Sequence, residues 1–291
     1  MTELAAVTTG RFWYQEAQLA YERYGSHGAP TVVLTHGILL DSHLNRGLAR
    51  KLVREGFQVV LLDLLGHGRS DRSHDPKDHR ADFYADQVLA LLDHLQVEKA
   101  VLGGLSLGCI VSLHVAVKAP DRVAGLFLEM PVMEWSAPWA ALMLSPLIAL
   151  SRLAPFLQRP LAQRLRRIPR PRNEVLTSVL NTASMEPANM AAILHGVLVG
   201  AIIPPETARR TLSMPALIIG HSGDKLHEFR DAHVLHQELR HSTLLEARHI
   251  LELRNRPDRL WPDIRRFFVA LREGEGEGEG APRPRIVRRR P

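Results

Sequence analysis

The chain has 291 residues, is 45% hydrophobic and carries a formal net charge of +6. A chain of this size buries a sizeable core as one large α/β domain or two small ones, and its single cysteine excludes an intramolecular disulfide and a multi-cysteine metal site. Residues 1–20 contain Glu3 and Glu16 and no apolar leader, and the most apolar stretches, 137–150 and 191–203, are too short to span a bilayer, so a cytoplasmic location is expected. No basic stripe is interleaved with aromatics, so no nucleic-acid partner is expected. Part of the positive charge lies in the tail, where 272–291 holds six Arg and four Glu.

Taken in order, residues 1–30 hold a hairpin, with Phe12-Trp13-Tyr14 and Leu19-Ala20-Tyr21 as its strands and Gly25, Gly28 and Pro30 as breakers. Thr31-Val32-Val33-Leu34 is a β-branched apolar run of the fully buried kind, ending in Thr35-His36-Gly37. A helix over 44–55 stops at Gly56, and a second buried strand over 58–62 ends in Asp63. After the loop Gly66-His67-Gly68-Arg69-Ser70-Asp71 come an amphipathic helix over 82–95, a strand over 99–103, a helix over 109–118 and a strand over 123–128. Strands alternating with helices require parallel pairing with crossovers. The expected fold class is therefore α/β, a doubly wound, mostly parallel sheet.

The alternation stops at 133–213, which reads as helix with Pro-rich joints, and resumes with strands at 216–220 and 242–247 and helices near 231–239 and 258–271. The division expected is a core of 1–132 and 214–272, a helical cap of 133–213 inserted before the penultimate strand, and a disordered tail of 273–291 whose Gly-Glu repeat cannot bury a core.

Between the strand at 99–103 and the helix at 109–118 lies Gly104-Leu105-Ser106-Leu107-Gly108. Strand, G-x-S-x-G and helix in succession are the context of a nucleophile elbow, a tight turn that projects the serine hydroxyl beyond the sheet. Gly104 and Gly108 are small because strand and helix nearly touch there. The helix starts at the serine and turns unpaired backbone N–H groups toward developing negative charge.

These pieces together resemble the α/β-hydrolase superfamily over about residues 10–272: His36-Gly37, the run Asp63 to Asp71, the elbow at 104–108, Asp224 after a strand and His249 after the last strand. The resemblance implies a serine hydrolase with no metal and no organic cofactor, cleaving an ester or related acyl bond of a small, fairly apolar substrate. It implies Ser106 as nucleophile, His249 as general base and Asp224 as the acid that orients it, with Glu129 an alternative acid and His221 a second choice for the base. Ile38 and Leu107 would donate the oxyanion-hole N–H groups. His36 reads as structural, and Cys109 as a buried structural thiol. A carbon–carbon bond hydrolase with the same triad, or a triad-bearing binding protein with negligible turnover, would carry the same residues.

In the cap, Trp135, Trp139 and Met143 recur at i+4, and Met190 and Leu194 fall on a second apolar stripe. They are the expected pocket residues. Seven Arg and no acid lie between Arg152 and Arg172. Such a run suits a solvated cap face, an anionic part of a substrate, or weak contact with an anionic membrane surface.

Overall fold

A computed structural model describes residues 7–200, 202–222, 226–274 and 285–287, the last as backbone. The strands are β1 (Thr8–Tyr14), β2 (Ala17–Tyr24), β3 (Thr31–Thr35), β4 (Gln58–Leu62), β5 (Ala100–Leu105), β6 (Val123–Glu129), β7 (Ala216–His221), β8 (Ser242–Ala247) and β9 (Arg285–Val287). Core helices are α1 (Arg46–Arg54), α2 (Ala81–His94), α3 (Leu107–Lys118), α9 (Phe229–Glu238), α10 (Glu252–Asn255) and α11 (Trp261–Arg272). The cap consists of α4 (Ala137–Leu153), α5 (Pro155–Arg166), α6 (Glu174–Ala183), α7 (Pro187–Val199) and α8 (Glu206–Arg209).

One sheet runs β1-β2-β4-β3-β5-β6-β7-β8-β9. The hairpin β1–β2 joins β4 antiparallel, and every later pair is parallel. Residues 285–287, assigned to a disordered tail by composition, pair with β8 as an edge strand.

The central strands β3, β4, β5 and β7 are buried along their whole length. Their side chains alternate between two apolar layers, as a period of two dictates. Val33, Val60, Leu102 and Ile218 meet α2, α3 and α9 on one face, while Val32, Val59, Val101 and Leu217 meet α1 and α11 on the other. Each buried Val, Leu or Phe contributes about 1.5–3 kcal/mol. The carboxyl ends of β3, β5, β6 and β7 therefore converge on one edge of the sheet, and the cap is inserted there, between β6 and β7.

The cap is pinned to that edge by polar contacts. Asn189 Nδ2 donates to Gly66 O at 2.8 Å, Asn181 Nδ2 to Asp41 Oδ2 at 2.6 Å, and Thr182 Oγ1 to Leu39 O at 2.6 Å. Arg50 and Glu174 form a bidentate pair at 2.7 and 2.8 Å.

Candidate active site

Ser106 sits between β5 and α3 with φ 52° and ψ −105°. A non-glycine residue at positive φ costs on the order of 1–3 kcal/mol and persists only where its surroundings force it. Here the forcing is visible. A Cβ on Gly104 or on Gly108 would overlap Thr35 O, so strand and helix can close on β3 only with glycine at both places. Ser106 N–H donates to Glu129 O at 2.9 Å, which ties the turn to β6.

The imidazole against the serine is that of His227, whose Nε2 lies 3.1 Å from Ser106 Oγ. His227 follows β7 in the loop that leads to α9. This differs from the expectation that His249 would take that place. His249 is exposed on the loop after β8, where its electrostatic influence falls on Glu252. Its backbone carbonyl accepts from Glu252 N–H at 2.9 Å, a turn that starts α10. Sequence reasoning passed over His227 because its spacing from β7 matches no base position in the resemblance. The buried His221, the second choice for the base, ends β7.

Asp224 lies outside the described residues. Glu129, the alternative acid, is fully buried at the end of β6 and ion-pairs with Arg254 at 2.7 Å. Burial raises its pKa; Arg254, and more weakly His227, pull the other way. Glu129 is thus within electrostatic reach of His227 but spends its hydrogen bonds on Arg254.

Two buried histidines shape the loop after β3. His36 Nε2 accepts from Leu64 N–H at 3.1 Å, and its Nδ1 donates to Gly37 O at 2.9 Å. His67 Nε2 accepts from Leu39 N–H at 3.2 Å, and its Nδ1 donates to Leu65 O at 3.0 Å. Burial lowers the pKa of both, well down for His67, so both stand neutral with the tautomers these bonds require. Their rings pack 4.6 Å apart and hold Leu39 at φ 61°. Asp63 braces the same loop, accepting from Ser42 N–H at 2.8 Å and Arg69 N–H at 3.0 Å. Gly68 is required beside it, since a Cβ there would overlap the Asp63 carboxylate.

Ile38 and Leu107 line one cavity with Ser106 and His227. Leu107 is the first residue of α3, so its N–H has no intrahelical acceptor. The cavity measures about 70 Å³, and its remaining walls are apolar: Ile110, Val132, Ala137, Ala140, Leu144 and Val197 among them. Of the cap residues expected to line it, none does. Trp135, Trp139 and Met143 are exposed, while Met190 and Leu194 are buried against Leu39 and Ile193. On α4 the reason is the rotation of the helix, which turns Ala137, Ala140 and Leu144 inward and Trp139 and Met143 to the outside; Trp135 precedes the helix.

Cys109 is buried, its Sγ donating to Gly104 O at 3.2 Å and Glu129 O at 3.0 Å. Burial pushes its thiol well above the ordinary range. It is a packed, unreactive group. Among the described residues no cluster of His, Cys, Asp and Glu could hold a metal ion.

Comparison with known proteins bears on the fold. A family model described as the alpha/beta hydrolase fold matches residues 30–166. The chain is 44% identical over 112 residues to a dihydrolipoyllysine-residue acetyltransferase component of an acetoin cleaving system from Pseudomonas putida, covering 38% of this chain and 29% of that protein. It is 25% identical over 240 residues to 3-oxoadipate enol-lactonase 2 from Acinetobacter baylyi, covering 81% of this chain and 88% of that one. A solved hydrolase of 2-hydroxy-6-oxo-6-phenylhexa-2,4-dienoate from Rhodococcus superposes with a TM-score of 0.71 at 21% identity, covering 91% of this chain and 99% of its own. Of the first curated relatives matched, the chain spans well under half the length. With the elbow, the strand order and the inserted cap all in place, the chain has the α/β-hydrolase fold that the family model describes.

Proposed function

We propose that the protein is a serine hydrolase that cleaves an ester or related acyl bond of a small apolar substrate through an acyl-serine intermediate. The observation that carries this reading is the contact of Ser106 Oγ with His227 Nε2 at the wall of an apolar cavity. A neutral hydroxyl is a weak nucleophile, so its proton must leave as Oγ attacks. In this arrangement His227 Nε2 takes that proton, and the Oγ–acyl carbon bond forms. The carbonyl electron pair moves to oxygen, where the N–H groups of Ile38 and Leu107 receive it. As the intermediate collapses, the leaving group takes the proton back from the imidazolium. Water, deprotonated by the same nitrogen, then releases the acid and restores Ser106.

A second assignment of the base rests on chain order. His249 follows β8, where the family pattern keeps its imidazole after Ser106 and Asp224. The two assignments separate cleanly. His227→Ala should lower kcat by about 10³-fold and His249→Ala by little if His227 is the base, and the reverse if His249 is.

The cavity sets the substrate class. About 70 Å³ is room for only a few water molecules, which suits a short acyl group. Each methylene buried there contributes about 0.8 kcal/mol. An acyl bond is also what the enol-lactonase relative opens in cyclic form. Measured on p-nitrophenyl esters, kcat/KM should rise roughly fourfold per methylene from acetate to butyrate and then level off. A flat profile, or a preference for charged acyl groups, would overturn the substrate assignment.

A further inference from the structure

The outer face of the cap is where this molecule departs most from an ordinary soluble surface. In α4, Ala137, Ala140 and Leu144 face the cavity beside Ser106. The opposite face carries Trp139, Leu142, Met143 and Leu150, all exposed. At the end of α4 Leu153 is 80% exposed, and Phe156, just inside α5, is 68% exposed. Leu157 and Leu161 continue the exposed face of α5. Scattered exposed apolar residues need no explanation, but eight large ones on two successive helices do.

The charges beside it have one sign. Leu157, Leu161 and Arg164 follow at i, i+4 and i+7, which places Arg164 on the apolar face, opposite the buried Ala162. Arg167 ends the same helix. Arg164, Arg167 and Arg172 form no ion pair among the described residues, and no acid occurs between Arg152 and Arg172. No single described helix is long and apolar enough to cross a bilayer, and α4 and α5 meet at 96°. A large apolar face edged with Arg on helices too short to span is the pattern of elements that lie in a membrane interface. A second copy is a poor occupant, because it would bring Arg164, Arg167 and Arg172, which have no ion-pair partner among the described residues, against the same three charges.

We propose that the outer faces of α4 and α5 dock this protein on an anionic lipid surface, with the apolar side chains in the acyl boundary and Arg164 and Arg167 at the headgroups. Docked this way, α4 stands between the lipid and the cavity, its outer face in the bilayer and its inner face beside Ser106. The docking itself does not depend on which bond Ser106 cleaves.

The test is co-sedimentation of the full chain, in its Ser106→Ala form, with vesicles of phosphatidylcholine alone or with added phosphatidylglycerol. Binding is expected to phosphatidylglycerol vesicles, falling as salt is raised. Arg164→Glu with Arg167→Glu should weaken it about tenfold or more. Leu153→Glu with Phe156→Glu should abolish it. All four positions are exposed, so thermal melting should be unchanged in both double variants. Failure to bind phosphatidylglycerol vesicles, or equal binding by the variants, would overturn the proposal. So would a dimer in sedimentation velocity that Leu153→Glu with Phe156→Glu dissolves, because it assigns the face to a second copy.

Discussion

Ser106 shows how much one residue depends on its neighbours. Its φ of 52° is imposed by two glycines that have no room for a side chain against Thr35 O. Gly108→Ala should therefore cost about 1–3 kcal/mol of stability and, by moving the elbow, lower esterase activity with it; paired thermal melts and turnover assays read both. Cys109, three residues on, is the contrasting case. Its thiol is buried and its pKa raised, so Cys109→Ala should leave turnover within a few-fold of wild type. Loss of turnover in a variant of normal stability would reverse that reading. The acid partner is decided the same way. Asp224→Asn should lower kcat steeply and Glu129→Gln should act mainly on stability, because Glu129 is bound to Arg254. A dead Glu129→Gln beside an active Asp224→Asn would exchange their roles.

At this scale the elbow was legible in the sequence, because G-x-S-x-G encodes a local steric demand that composition and spacing reveal. The imidazole was not. Which histidine among fifteen reaches Ser106 depends on the path of the loop after β7, and no short-range pattern around His227 records it.

Among the elements, α4 lines the cavity with one face and is exposed on the other. Its helical pattern was readable from residue spacing, but which side of the helix faces the core was not. Both sides are apolar, so periodicity alone cannot choose between Ala137-Ala140-Leu144 and Trp139-Met143. The small residues won because the space over the strand ends is narrow. The cavity should accordingly be controlled from α4. Ala140→Phe should fill it and abolish turnover of butyrate esters while sparing labelling by a small serine-directed probe. Unchanged kcat/KM for butyrate would place the acyl group elsewhere. The strands β3 to β8 lay close to their expected bounds, since runs buried on both faces leave an unbroken apolar signal. The edge strand β9 left none, because three residues in a charged tail have no period to read.

For the whole molecule, buried polar groups set the response to acid. Folding lowers the pKa of His36 and His67 through burial. Glu22 and Asp41 are also lowered: burial alone would raise them, but hydrogen bonds outweigh it, from Arg46 and Tyr24 to Glu22 and from His43 and Asn181 to Asp41. In each case the unfolded chain binds more protons than the native one. The histidine contribution is complete above about pH 6.5 and lost as pH falls below it, and the carboxylate contribution is complete above about pH 4 and lost below. Glu129, raised by burial, works in the opposite sense. Denaturant titrations across pH should therefore show stability declining in two stages, the first reduced in His67→Gln. Stability that rises from pH 7 to 5 would contradict these assignments.

The central claim is that Ser106 is an activated nucleophile, and intact mass spectrometry after exposure to a fluorophosphonate reads it most directly. The account predicts one covalent adduct per chain on the wild type and none on Ser106→Ala at equal folded concentration. A wild-type chain that stays unlabelled, or a Ser106→Ala chain that labels as fast, would contradict it.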